Sequence, residues 1–227
     1  MASVKLIGGR PSPFVNRVQI ALNLKSIDYE FLLERFGSKS DLLLKLNPIH
    51  KKIPVLIHDD KPICESLVIV QYIDEIWTSG PSILPSDPYD RATAQFWAAC
   101  IDEKCVPNLR TLRVAKGEKE KSEASNQLIE MLVLLEEVFV KCSEGGKGFF
   151  GGDRIGYLDI ALGSFLGWLK AVEKLAGVKL LDREKMPELV GWAERFCADD
   201  AVQGVVPDAE ELLEFAKNFV LKAQPPN

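Results

Sequence analysis

The sequence predicts an α/β domain followed by an all-α domain, and three observations predict it. Over residues 3 to about 77, short apolar runs of strand type alternate with segments of helical period. Residues 78 to 88 are rich in turn formers and hold Pro81, Pro85 and Pro88. Every later apolar pattern is helical. A chain of 227 residues exceeds the usual size of one domain and fits two small ones. The expected division is a first domain over 1–78, a linker over 79–88 and a helical domain over 89–227.

Val4 to Ile7 reads as a buried strand, and Val15, Val18 and Leu22 stand at helical spacing within a helix over 14–26. Tyr29 to Leu33 is a second strand. Asp41 to Leu46 is a short helix ended by Asn47-Pro48, because proline disfavours helix in the residue before it. Pro54 to His58 and Lys61 to Cys64 are two strands around Asp59-Asp60, a hairpin signal. Ser66 opens a helix with Ile69, Val70, Ile73 and Trp77 on one face. The order strand, helix, strand, helix, strand, strand, helix implies a mixed sheet covered by helices, a thioredoxin-like pattern. After the linker, residues 89 to 116 predict a long helix bent near Pro107, and Leu128, Met131, Leu132, Leu135, Val138 and Phe139 form one stripe of a helix over 123–142. Residues 157 to 172 are apolar on every face and predict the central helix of the second core. Helices over 187–198 and 208–222 complete the domain.

With 47% hydrophobic and 27% charged residues, the chain can build a sizeable core. A net charge of -5, without a basic run, speaks against nucleic-acid binding. The N-terminus lacks the features of a secretory signal and no stretch is long enough to span a membrane, so a cytosolic protein is expected. Five scattered cysteines (64, 100, 105, 142 and 197) without Cys-x-x-Cys suggest neither a disulfide framework nor a zinc site, and read as reduced, buried thiols. His50 and His58 are too few for a histidine metal centre, so no metal is expected.

Two segments can carry chemistry. In Gly8-Gly9-Arg10-Pro11-Ser12-Pro13-Phe14 the glycines allow a tight loop, and Pro13 suits the first helical turn, which makes Ser12 a natural N-cap. That structural role is complete in itself; the same hydroxyl at a helix N-terminus also suits a thiolate. The second segment is Ile53-Pro54 and, after the hairpin, Glu65-Ser66. A strand that begins with proline leaves the preceding backbone free to pair with an extended peptide. Glu65 can hold an ammonium group and Ser66 can donate to a carboxylate, although Ser66 can equally be one more helix-start serine. Lys39 and Lys52 read as solvated lysines, or as partners for a carboxylate at the peptide's other end.

These motifs, together with Arg17-Val18, Lys39-Ser40, Asn47-Pro48, Lys51-Lys52-Ile53-Pro54-Val55-Leu56, Leu84-Pro85-Ser86-Asp87-Pro88 and Gly156-Tyr157-Leu158-Asp159-Ile160, resemble the plant tau-class glutathione transferases along essentially the whole chain. The resemblance implies the cytosolic glutathione transferase fold, with a thioredoxin-like domain and a C-terminal helical bundle, in a homodimer. It implies that Ser12 activates glutathione, a co-substrate, with no further cofactor. It implies that Glu65 and Ser66 hold the γ-glutamyl group, that the backbone of Ile53 pairs with the cysteinyl unit, and that Lys39 and Lys52 face the glycine carboxylate. It implies a hydrophobic electrophile between the domains, against Phe14, Val106, Arg110, Trp168, Phe215 and Phe219. The Ile53-Pro54 bond is expected to be cis, and Asp159 to act structurally at the start of the core helix. Two departures stand out: Gly9-Arg10 where the family often has an aromatic pair, and Val106 where it often has tyrosine. Both point to a more open pocket, more basic on one wall.

The implied activity is conjugation of glutathione to soft electrophiles, with peroxidase activity toward organic hydroperoxides as a further expectation. A glutathione-dependent thiol reductase on the same fold needs a nucleophilic cysteine where this chain has Ser12. A non-catalytic carrier of hydrophobic ligands remains compatible with these residues.

Overall fold

The computed structural model describes residues 3–143 and 148–223, with side chains as far as Asn218. Its first part holds β1 (Val4–Gly8), α1 (Pro13–Leu24), β2 (Glu30–Leu33), α2 (Asp41–Leu46), β3 (Val55–His58), β4 (Lys61–Cys64) and α3 (Ser66–Ile76). The sheet order is β2-β1-β3-β4, with β1 parallel to β2 and antiparallel to β3, and β3 antiparallel to β4. Alternation along β1 decides which helix covers which face. Leu6 joins Leu56 beneath α1 and α3, while Ile7 joins Val55, Ile57 and Leu43 of α2 on the other side. Asp59 and Asp60 turn the hairpin with φ of 48° and 62°, the left-handed pair a two-residue turn requires. The Ile53-Pro54 bond is cis, as expected.

The second part is helical: α4 (Pro88–Cys100), a π turn (Ile101–Cys105), α5 (Val106–Val114), α6 (Glu118–Cys142), α7 (Tyr157–Gly163), α8 (Leu166–Ala176), α9 (Pro187–Ala198) and α10 (Ala209–Ala223). The bend expected near Pro107 is this π turn. Pro107 has no N–H to give Glu103 and its ring would press on that carbonyl, so the ladder widens before it. The single core helix expected over 157–172 is two helices. The carbonyl of Ala161, which would accept from Phe165 in an unbroken helix, is taken by Arg17 Nη2 at 2.9 Å, and the Phe165 N–H turns to Leu162 instead. All five cysteines are free, but only Cys105 is buried. Cys142 is exposed at the end of α6, while Cys64, Cys100 and Cys197 are partly buried.

The linker is tied to both parts of the chain by hydrogen bonds. Asp74 of α3 accepts from the N–H groups of Ile83 (2.8 Å) and Leu84 (2.9 Å) and pairs with buried Lys25 at 2.7 Å. Ile83 in turn accepts from the N–H of Tyr157, the first residue of α7. Asp159 is fully buried and accepts four hydrogen bonds, from the N–H groups of Phe150, Gly151 and Gly156 and from the Trp192 indole, all between 2.7 and 2.9 Å. Burial pushes its carboxyl up to about 6 against the pull of these donors, so it is ionised at neutral pH. These four contacts tie the start of α7 to the loop before it and to α9. Gly156 in place of serine or threonine also finds its reason: a Cβ there would lie 2.9 Å from the Cα of Gly151.

Candidate active site

Strand register gathers the predicted residues at one end of the sheet. Ile7 pairs with Val55, and Val55 with Cys64. The loop after β1 that carries Ser12, the Ile53-Pro54 approach to β3 and the Glu65-Ser66 exit from β4 are therefore neighbours. Gly8 pairs with Leu33, which brings the loop carrying Lys39 to the same end. Lys39 and Lys52 are exposed. Glu34, buried after β2, accepts from the backbone and hydroxyl of Ser40, both at 2.7 Å, and so fixes the Lys39 loop. Asn47 fixes the approach to β3 by donating to the carbonyl of Lys52 at 2.9 Å.

Glu65 stands at φ 71°, a left-handed conformation that costs a non-glycine residue on the order of 1–3 kcal/mol and persists only where its surroundings impose it. Its exposed carboxylate lies 3.9 Å from His50. Ser66 is buried and its hydroxyl accepts from Arg17 Nη1 at 3.2 Å. Nothing in the spacing of the sequence singles out Arg17 for this, although it sits in one of the quoted motifs. The same guanidinium binds Asp102 of the π turn and lies over the rings of Phe14 (5.3 Å) and Phe165 (5.1 Å).

Ser12 has extended backbone at the N-cap of α1, yet its hydroxyl makes no capping hydrogen bond. It is buried and lines a cavity of about 350 Å³ with Phe14, Val106, Arg110, Trp168 and Phe215, five of the six residues expected at an acceptor pocket. The sixth, Phe219, lies outside the described side chains. Trp168 stands on α8, packs with Ala209 and Leu212 of α10 and also reaches the site, its indole donating to the carbonyl of Pro11 at 2.8 Å. Sequence reasoning missed Phe36, Leu109, Arg113 and Phe165 in the same wall. Arg113 follows Arg110 by three residues, a helical spacing that could have placed both on one face.

The families of the glutathione S-transferase N-terminal domain and C-terminal domain match residues 2–75 and 88–200. Glutathione S-transferase U17 of Arabidopsis thaliana is 59% identical over 98% of both chains. A crystallographic tau-class glutathione S-transferase from mango, Mangifera indica, superposes with a TM-score of 0.92 at 63% identity, covering 95% of this chain and 98% of that one. This chain belongs to the tau-class glutathione S-transferases. Rice GST1, solved in complex with glutathione, has a TM-score of 0.88 at 35% identity, over 99% of both chains.

Within this transferase the Gly9-Arg10 departure does not open the pocket as expected. Phe36 packs onto Gly9 so closely that a Cβ there would lie 2.6 Å from its ring. Nor does Arg10 make a basic wall, since its guanidinium is bound to Glu211 (2.6 and 3.2 Å) and to the carbonyl of Gly204 (3.2 Å). The basic wall comes from α5 instead, where burial and the charge of Arg110 lower the pKa of Arg113.

Proposed function

We propose that Ser12 activates the thiol of glutathione and presents it to a hydrophobic electrophile in the adjoining cavity. The observation that carries this reading is a helix-start hydroxyl that leaves the helix uncapped and lines an aromatic cavity. The chain is a glutathione transferase by the class of its relatives. Lowering the thiol pKa by about two units requires about 2.7 kcal/mol. One hydrogen bond to the charged sulfur supplies roughly 1.5–3 kcal/mol and the α1 terminus roughly 0.3–1 kcal/mol, which together suffice. The thiolate then forms the C–S bond, a leaving group departs or a proton adds to the acceptor, and the thiol proton passes to water.

Glu65 and Ser66 hold the γ-glutamyl end in this reading, Ile53 offers its backbone to the cysteinyl unit, and Lys39 and Lys52 meet the glycine carboxylate. Glutathione is the co-substrate and no other cofactor takes part. Hydroperoxide reduction would use the same thiolate. A reductase through protein thiols is disfavoured at Cys64, whose thiol is pushed up by burial and by Glu65, and at Cys105, pushed up to about 12 mainly by burial. A homodimer is supported by exposed Ile49, Val68, Tyr89 and Phe96, the second on α3 and the last two on α4, helices joined by a hydrogen bond from Gln95 to Gln71. No helix among the described residues is long and apolar enough to cross a membrane, and a cytosolic enzyme is the accompanying proposal.

The test is conjugation of 1-chloro-2,4-dinitrobenzene by the wild type and by Ser12→Ala. The variant should keep its glutathione Kd within about threefold while kcat falls by about tenfold or more, each 1.36 kcal/mol of lost transition-state stabilisation being one such factor. Near-normal turnover of the variant across pH 6 to 8 would remove Ser12 from the chemistry.

A further inference from the structure

Arg110 and Arg113 lie one turn apart on α5 and both line the cavity beside Ser12. The remaining lining residues are apolar or neutral, with no aspartate or glutamate among them. Three other arginines are paired with acids, Arg10 with Glu211, Arg17 with Asp102 and Arg183 with Glu194. No ion pair to a carboxylate occurs at Arg110 or Arg113 among the described residues. Among the described residues, two positive groups thus face one aromatic cavity with nothing of opposite sign on its wall.

Arg113 is also held in place. Its guanidinium lies 5.1 Å from the ring centroid of Trp168, and that indole is anchored to the carbonyl of Pro11, the neighbour of Ser12. The lowered pKa of Arg113, from burial first and Arg110 second, reports the same shortage of negative charge. A ligand anion would relieve both effects, and a guanidinium matches the planar geometry of a carboxylate.

We propose that the acceptor cavity of this transferase selects electrophiles that join an aromatic body to a carboxylate, the body against Phe14, Phe165, Trp168 and Phe215 and the carboxylate received by Arg110 and Arg113. The proposal rests on the transferase reading above and adds the substrate class.

The test compares 4-chloro-3-nitrobenzoate with its neutral analogue 4-chloro-3-nitrobenzamide. In both, the thiolate forms a C–S bond at the chlorine-bearing carbon, the nitro-substituted ring carries the added charge, and chloride leaves with the C–Cl electron pair. Each kcat/KM is divided by the uncatalysed rate constant with glutathione, and the benzoate-to-benzamide ratio is read. The wild type should favour the benzoate by about tenfold, the scale of a charge-assisted hydrogen bond, and the Arg110→Gln/Arg113→Gln double variant should bring the ratio to about one. If neither compound turns over while 1-chloro-2,4-dinitrobenzene does, the same ratio is read from their constants as inhibitors competitive with that substrate. A wild-type ratio at or below one, or a ratio unchanged in the double variant, overturns the selectivity and leaves the transferase reading standing. Failure with 1-chloro-2,4-dinitrobenzene as well overturns both.

Discussion

Arg17 and Asp102 meet through two hydrogen bonds, Nη2 to Oδ1 at 2.6 Å and Nη1 to Oδ2 at 3.0 Å, and tie the first helix of the sheet domain to the π turn of the helical one. Arg17 is fully buried, and it also donates to Ser66 and to the carbonyl of Ala161. One guanidinium therefore serves the proposed glutathione site, the domain junction and the end of α7.

Asp102→Ala would leave that buried cation without its anion. Breaking a buried pair by removing one partner typically costs about 3–5 kcal/mol, and the partial exposure of Asp102 places this case near or below the lower figure. Glutathione affinity should fall severalfold as well, because Ser66 loses a donor fixed in place. Urea unfolding and calorimetric titration measure the two effects. A change below about 0.5 kcal/mol, the level of an ordinary surface substitution, would mean that the pair holds nothing together.

Asp159→Asn should act on folding alone. Four N–H donors converge on the carboxylate, and an amide turns two N–H groups of its own toward them. A loss of about 2–4 kcal/mol is expected from buried donors left unpaired, with kcat per folded molecule unchanged. Equal stability of the two proteins in urea would contradict the structural role.

The contrast between these two acids marks what was legible in the sequence. Asp159 was readable because three of its four donors lie at its own helix start and in the loop before it, the Trp192 indole being the distant fourth, and the hairpin at Asp59-Asp60 and the ends of α2 were readable because their side-chain chemistry is local. Arg17 was not, because its three partners come from residues 66, 102 and 161, brought together only by the fold. The same reason hid the break between α7 and α8, which that guanidinium accompanies by taking the Ala161 carbonyl. At the cavity, family likeness located Phe14, Val106, Arg110, Trp168 and Phe215, but Phe36 entered through a loop whose position depends on the buried Glu34–Ser40 contact. Local pattern thus described the elements well, and residues acting across long separations escaped it.

Gly9→Ala tests the role of Phe36. The added methyl would meet Phe36 Cε2 at 2.6 Å, so the ring must move, and it touches both Gly9 and Phe215, with ring centroids 5.0 Å apart in the latter contact. The expected result is a changed KM for the aromatic acceptor, by about threefold or more, with the glutathione KM held within about twofold; a shift of 1.4 kcal/mol would be tenfold. Equal changes in both constants would indicate a general disturbance of the loop instead.

Ser12→Cys asks whether residue 12 faces the glutathione sulfur. A cysteine there would sit at the N-terminus of a 12-residue helix, beside no acidic residue in the first turn, and would be driven toward thiolate. A thiolate can attack glutathione disulfide where a hydroxyl cannot: its sulfur bonds to one glutathione sulfur and the other leaves as glutathione thiolate. The variant should therefore lose conjugation with 1-chloro-2,4-dinitrobenzene and acquire one glutathione per chain, seen as added mass that a reducing agent removes. Cys64 ends β4 at the same end of the sheet, but its thiol is pushed up by burial and by Glu65, which makes it the poorer nucleophile. Peptide mapping settles which of the two carries the adduct. An adduct on the peptide with residue 12 places that side chain against the sulfur of glutathione, whereas unchanged conjugation with no adduct there would take Ser12 out of the active site.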